Sequence, residues 1–213
     1  MKSYNSLSTI LIAAIAGSAS ADVIITGIID GDLSGGNPKA IELYVDGTVD
    51  FTGFDLFRSS NGNAFGAAGG MDALGTITDS FVYLVGNGAS GLTSFQSVFG
   101  NSGDFANTFS MGNVTGNGND GFQILDASSA VLDQVWQADG TSYYADSYMY
   151  RVDGTGPEGA VWTASNWTVG SVEDMNAEQT GIATPFGTYQ VPTPGAMSLL
   201  AMGGLVSTRR RRA

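Results

Sequence analysis

No stretch of this chain sustains a helical hydrophobic period. Short apolar runs recur instead, each bounded by Gly, Asn, Asp or Ser. That pattern constrains the fold more than any other feature. β-Branched and aromatic residues suit a pleated, half-buried strand, and Gly, Asn and Asp supply the turns between strands. Val23–Ile29 (VIITGII) reads as a buried strand. Ala40–Val45 alternates, with Ile41 and Leu43 opposite Glu42 and Tyr44. Phe54–Arg58 follows a Thr52-Gly53 turn, and Phe81–Val85 is apolar throughout, as a central strand would be. Phe122–Leu125 and Val131–Trp136 flank Asp126-Ala127-Ser128-Ser129 and read as a hairpin; Tyr148–Val152 and Val161–Trp167 read as further strands. Many short strands joined by turn chemistry predict an all-β fold, an antiparallel β-sandwich. Leu92–Phe99 is the one helical turn, with Leu92, Phe95 and Phe99 at helical spacing. Ser59–Thr78 and Asn101–Gly121 read as long Gly/Asn-rich loops, the usual seat of function on a β scaffold.

Composition then removes whole classes of chemistry. There is no Cys, so no disulfide supports the fold. There is no His, which excludes Ser-His-Asp and Cys-His nucleophile systems, His-ligated zinc and His-ligated haem. Carboxylate chemistry, hard-cation binding or no chemistry at all remain. The 20 acids show no spacing that singles out the pair of carboxyls a glycoside hydrolase needs. A non-catalytic protein is therefore expected, with a carboxylate-dependent hydrolase as the rival. Asp30 and Asp32, and Asn117, Asn119 and Asp120, lie in oxygen-rich turns. They read either as a weak calcium site or as Asx turns, and neither stretch matches the twelve-residue calcium loop. No other cofactor is indicated.

Glu42 lies on a strand between core-facing neighbours. If buried it needs a partner, either a cation (Lys39 or Arg151) or a polar cluster under the loops. Trp136, Trp162 and Trp167 with Tyr143, Tyr144, Tyr148 and Tyr150 make the last third aromatic-rich. They read as core filling or as sugar-stacking faces, and Tyr143-Tyr144, in a polar stretch, is the pair expected at the surface.

The charge is segregated. Of eight basic residues, Lys2 and Arg209, Arg210, Arg211 and Arg212 lie at the ends, leaving Lys39, Arg58 and Arg151 against all 20 acids, a formal −17 for the body. Such a surface keeps a protein soluble and repels nucleic acid. Residues 1–21 read as a secretory signal: Lys2, the apolar run Leu7–Ala16, then a small-x-small cleavage site at Ala19 and Ala21 before Asp22. Residues 22–190 form the body. Residues 191–213 form a second tripartite segment: Val191-Pro192-Thr193-Pro194, the apolar run Ala196–Val206, and the terminal Arg cluster. The run is shorter than the roughly 20 residues of a membrane-spanning helix, and the arginines favour the cytoplasmic side. A plain membrane anchor is one reading.

This tail also resembles the PEP-CTERM sorting signal of bacterial exported proteins, with Thr193 where the name-giving motif has Glu. The resemblance implies the secretion machinery and an exosortase-type membrane enzyme as partners. It also implies a membrane-anchored precursor in a Gram-negative-type envelope, and a body placed at the cell surface or outside the cell. The body, in turn, resembles the lamin tail domain, an immunoglobulin-like β-sandwich. Lys39–Tyr44 and Asp50–Leu56 carry the likeness, followed by Asn117–Ile124, Val131–Val135, Tyr150-Arg151 and Asn166-Trp167-Thr168. It departs at Thr26-Gly27 and at Val45, where that family often has polar residues. Together the two resemblances imply a structural or adhesive surface protein, with extracellular polysaccharide as a candidate partner and calcium or glycan binding as the alternative.

Overall fold

The computed structural model describes residues 21–66, 68–135, 139–170 and 185–191. The expected cleavage residue Ala19, the sorting residues Pro192, Thr193, Pro194 and Arg209–Arg212, and Trp136 lie outside the described residues. Ala21 is exposed, Asp22 opens the first strand and Val191 is half-buried.

The chain forms two sheets. The strands in chain order are β1 (Asp22–Leu33), β2 (Asn37–Asp50), β3 (Asp55–Ser59), β4 (Ala68–Gly70) and β5 (Thr76–Val85). Helix α1 (Gly88–Phe99) follows, then β6 (Thr108–Ser110), β7 (Gly121–Leu125), β8 (Val131–Val135), β9 (Ser147–Arg151) and β10 (Trp167–Val169). One sheet has six strands in the order β10-β9-β1-β2-β5-β6, and the other has four in the order β4-β3-β7-β8. Pairing is antiparallel except between β5 and β6. The fold is thus an all-β sandwich with one short helix.

The core between the sheets joins Ile25, Ile28, Ile41, Leu43, Val82 and Leu84 of the larger sheet to Leu56, Phe122, Ile124 and Val135 of the smaller one. The outer face of the larger sheet is covered as well. Ile24, Ile29, Ala40, Tyr83 and Val85 pack with Phe95 of α1 and with Phe186 and Tyr189. Burial on both faces explains why VIITGII runs apolar instead of alternating. β1 carries one extra residue, Thr26, between Ile25, opposite Leu43, and Gly27, opposite Glu42. The bulge re-aims the Thr26 side chain towards Glu42, as bulges do. Gly27 leaves room for Phe186, because a Cβ there would stand 2.4 Å from that ring.

Several expectations need correction. Val161–Trp167 is not a strand: Val161 is 61% exposed, a 3₁₀ turn spans Ala164–Asn166, and the strand begins only at Trp167. The turn is held by Asn166 N donating to Thr163 O (2.9 Å) and Asn166 Nδ2 donating to Glu158 Oε1 (2.8 Å). Asx-type bonding there outcompetes the β-branched run. The helix starts at Gly88, earlier than Leu92. The two long loops contain short elements, β4 and a 3₁₀ turn in one, a 3₁₀ turn and β6 in the other. Tyr144 is not at the surface: it is 2% exposed, and its hydroxyl donates to Asp120 O at 2.7 Å. Tyr143 is half-buried edge-on to Trp162. The local stretch is polar, but the peptide of the Asn117–Asp120 turn offers Tyr144 an acceptor inside the core, which satisfies the phenol as it buries.

Candidate functional site

The body has three basic residues, and they are used in two different ways. Arg151, on β9, is 1% exposed. Its Nη2 donates to Asp133 Oδ2 (2.6 Å), its Nε to Ile25 O (2.6 Å) and its Nη1 to Glu158 Oε2 (3.2 Å). Its guanidinium stacks 4.6 Å from the Trp167 ring centroid. Asp133 accepts two further bonds, from Ile25 N (2.8 Å) and Glu158 N (3.0 Å). Burial raises the Asp133 carboxyl above the usual range despite Arg151, so desolvation outweighs the ion pair. The group is a structural junction between β1, β8 and β9.

Lys39 forms a second such junction. β1–β2 register sets it opposite Asp30, to which its ammonium donates, and it also donates to Gly116 O at 2.6 Å. Burial again raises Asp30 above the usual range, with Lys39 opposing. The structure therefore brings Asp30 next to the stretch that begins at Asn117, with the Lys39 ammonium between them. Asp32 is half-buried at the end of β1. Asp120 accepts from Asn61 N (2.9 Å) and Asn117 N (3.2 Å), Asn117 is exposed, and Asn119 buries an Oδ1 that has no partner. Among the described residues no three acidic side chains converge as a metal-ligand set.

Glu42 pairs with neither Lys39 nor Arg151. It is fully buried on the outer face of the larger sheet, where Thr26 Oγ1 donates to Oε1 (2.7 Å) and Gly187 N to Oε2 (2.6 Å). The hydroxyls of Tyr83 and Tyr150 face it, and Thr188 N donates to Tyr150 OH (3.2 Å). Burial pushes Glu42 up to about 7, and the bonds from Thr26 and Gly187 oppose the rise. Burial followed by the nearness of Glu42 pushes both phenols well above their usual range. Residues 185–191 thus cap a neutral-to-ionised carboxyl rather than an ion pair.

Arg58 is the third base, and the structure leaves it without a carboxylate among the described residues. It stands near the end of β3, half-buried, at a cleft of about 370 Å³. The walls are the two stretches expected as functional loops: Ser60, Asn63, Ala64 and Gly66 on one side, Gly112, Asn113 and Thr115 on the other. Arg58 Nη1 donates to Thr115 Oγ1. Asn113 Nδ2 donates to Leu56 O (2.6 Å), while its Oδ1 is buried with no partner. Gly66 N donates to Arg58 O at 2.8 Å, and Asp120 ties the first wall to the second through Asn61. Among the described residues no carboxylate lines the cleft. Sequence reasoning located both loops but not their convergence on Arg58. The available signal was numerical: three internal cations, of which the hairpin register alone pairs one.

No protein-family model, curated protein or solved structure matches the chain.

Proposed function

We propose that this chain is an exported, non-catalytic surface or matrix protein, whose body is an immunoglobulin-like, lamin-tail-like sandwich displaying a loop cleft outside the cell. One observation carries the non-catalytic reading. Each buried carboxylate among the described residues (Asp30, Glu42, Asp120 and Asp133) is engaged by an internal donor, and none lines the cleft. Acid–base hydrolysis needs two carboxyls facing one bound substrate. The lamin-tail reading draws support from where its motifs lie: Lys39–Tyr44 within β2, Val131–Val135 as β8, Tyr150-Arg151 on β9 and Trp167-Thr168 on β10. Export rests on the N-terminal signal and the Pro motif, apolar run and Arg cluster of the tail. These imply the secretion machinery and an exosortase-type enzyme as partners, and a transient membrane anchor.

Intact-mass spectrometry of the protein recovered from its own cells tests this reading. A species beginning at Asp22 and ending near Pro194, found at the surface or in the medium, is the expected result. A full-length chain retained in the membrane or the cytoplasm overturns it.

A further inference from the structure

We infer that the Arg58 cleft binds a small, hydroxyl-rich, singly charged carboxylate: a uronate residue of an acidic polysaccharide. The inference deepens the surface-protein reading and rests on it for the source of the ligand.

The charge argument comes first. The body sets 20 acids against three bases, yet among the described residues this cleft is lined by a guanidinium and no carboxylate. Both other internal bases are spent on buried carboxylates. A half-buried guanidinium has given up part of its hydration, and Thr115 occupies only one of its five donors. The remaining fork matches a carboxylate. A phosphate dianion fits less well, because one guanidinium neutralises one charge and the described residues of the cleft walls add no second cation.

The lining then selects against a bare carboxylate. Ser60, Asn63, Asn113 and Thr115 supply hydroxyl and amide groups, and the described lining residues include no aromatic or bulky apolar side chain. The volume of about 370 Å³ lies at the small end of ligand sites. The walls are held before any ligand arrives, by Asp120 to Asn61 N and by Asn113 Nδ2 to Leu56 O, so little ordering accompanies binding. One pairing Arg and a few hydroxyl bonds correspond to a dissociation constant of about a millimolar for one ring.

The test is titration of the purified protein, followed by NMR and calorimetry, with D-galacturonate, D-galactose, acetate and tetragalacturonate. Galacturonate should bind at least about tenfold more tightly than galactose, which lacks the charge-assisted pair, and more tightly than acetate, which keeps that pair but lacks the hydroxyl bonds. Tetragalacturonate binding at least as well as the monomer supports a polysaccharide source. Tetragalacturonate binding more weakly than the monomer overturns the polymer as the source and assigns the site to a free sugar acid. Arg58→Met and Arg58→Lys should each weaken galacturonate about tenfold or more. Gly112→Trp should block the cleft without disturbing the fold, because a Cβ at Gly112 meets nothing within 4 Å. If Arg58→Met fails to fold, Gly112→Trp carries the test alone. Equal affinity for galactose and galacturonate, no binding at about 50 mM, or unchanged binding in Gly112→Trp overturns the inference. These outcomes are independent of the mass spectrometry, which reads sorting and not the cleft.

Discussion

Arg151 and Arg58 are the same residue type in one small body, and the molecule uses them in opposite ways. Arg151 sits where three strands meet, makes bonds to two carboxylates and a main-chain oxygen, and is closed over by Trp167. Arg58 sits where two loops part, bonds one hydroxyl and faces open space. A cation with all its donors answered inside the fold contributes to stability and has nothing left to offer a ligand. A cation with donors unanswered contributes little to stability and keeps its recognition capacity. The contrast between the two sites is therefore testable as a contrast between folding and binding.

The largest expected effect is at Arg151. Arg151→Met strands Asp133 as an unpaired buried carboxylate and should cost about 3–5 kcal/mol by urea denaturation. Adding Asp133→Asn should recover part of that loss, because the stranded charge is removed. A cost below about 1 kcal/mol for Arg151→Met would collapse the comparison from its structural side.

Glu42 comes next. Its folded pKa, about 7, is raised from 4.5, so the folded state holds its proton more tightly than the unfolded chain does. That contribution is full below pH 4.5 and is lost as pH rises through about 7, worth about 3 kcal/mol by pH 8. Glu42→Gln should remove this part of the fall in urea midpoint between pH 5 and 8. An unchanged pH profile in Glu42→Gln would show that another group is responsible.

Asp120→Ala removes the acceptors of two part-buried main-chain amides and should cost about 1–3 kcal/mol. It should also weaken galacturonate, because the cleft walls lose their tie. Stability lost with affinity intact would show that the walls hold without Asp120. The smallest stability effect belongs to Arg58→Met, within about 1 kcal/mol, since water can replace Arg58 at Thr115. A loss matching that of Arg151→Met would mean Arg58 is a structural charge after all.

The strands were legible in the sequence because strand formation draws on near neighbours: β-branched runs and the Gly, Asn and Asp that end them. Asp126 shows the turn chemistry plainly, accepting from Ser128 N (2.8 Å) and Ala130 N (2.9 Å) to close the β7–β8 hairpin. The Asp30–Lys39 pair was within reach too, since a hairpin register sets the two opposite each other. The start of β10 was misread because side-chain bonding by Asn166 competes with the strand, and its partner Glu158 lies outside any local pattern. The exposure of Tyr144 was misread because its acceptor, Asp120 O, comes from a different loop.

By itself the sequence determined the punctuation of the fold and the chemistry it lacks. Apolar runs between turn formers leave few options but paired sheets, and the absence of His and Cys is absolute. Only the tertiary structure decided how each charge is spent. Asp133 and Arg151 lie on different sheets, residues 185–191 cover Glu42 from far along the chain, and two loops close around Arg58 because β3 lies between β4 and β7. Periodicity is set by neighbours a few residues apart. The partner of a buried charge is set by sheet order and by which face is covered, and no local window contains either.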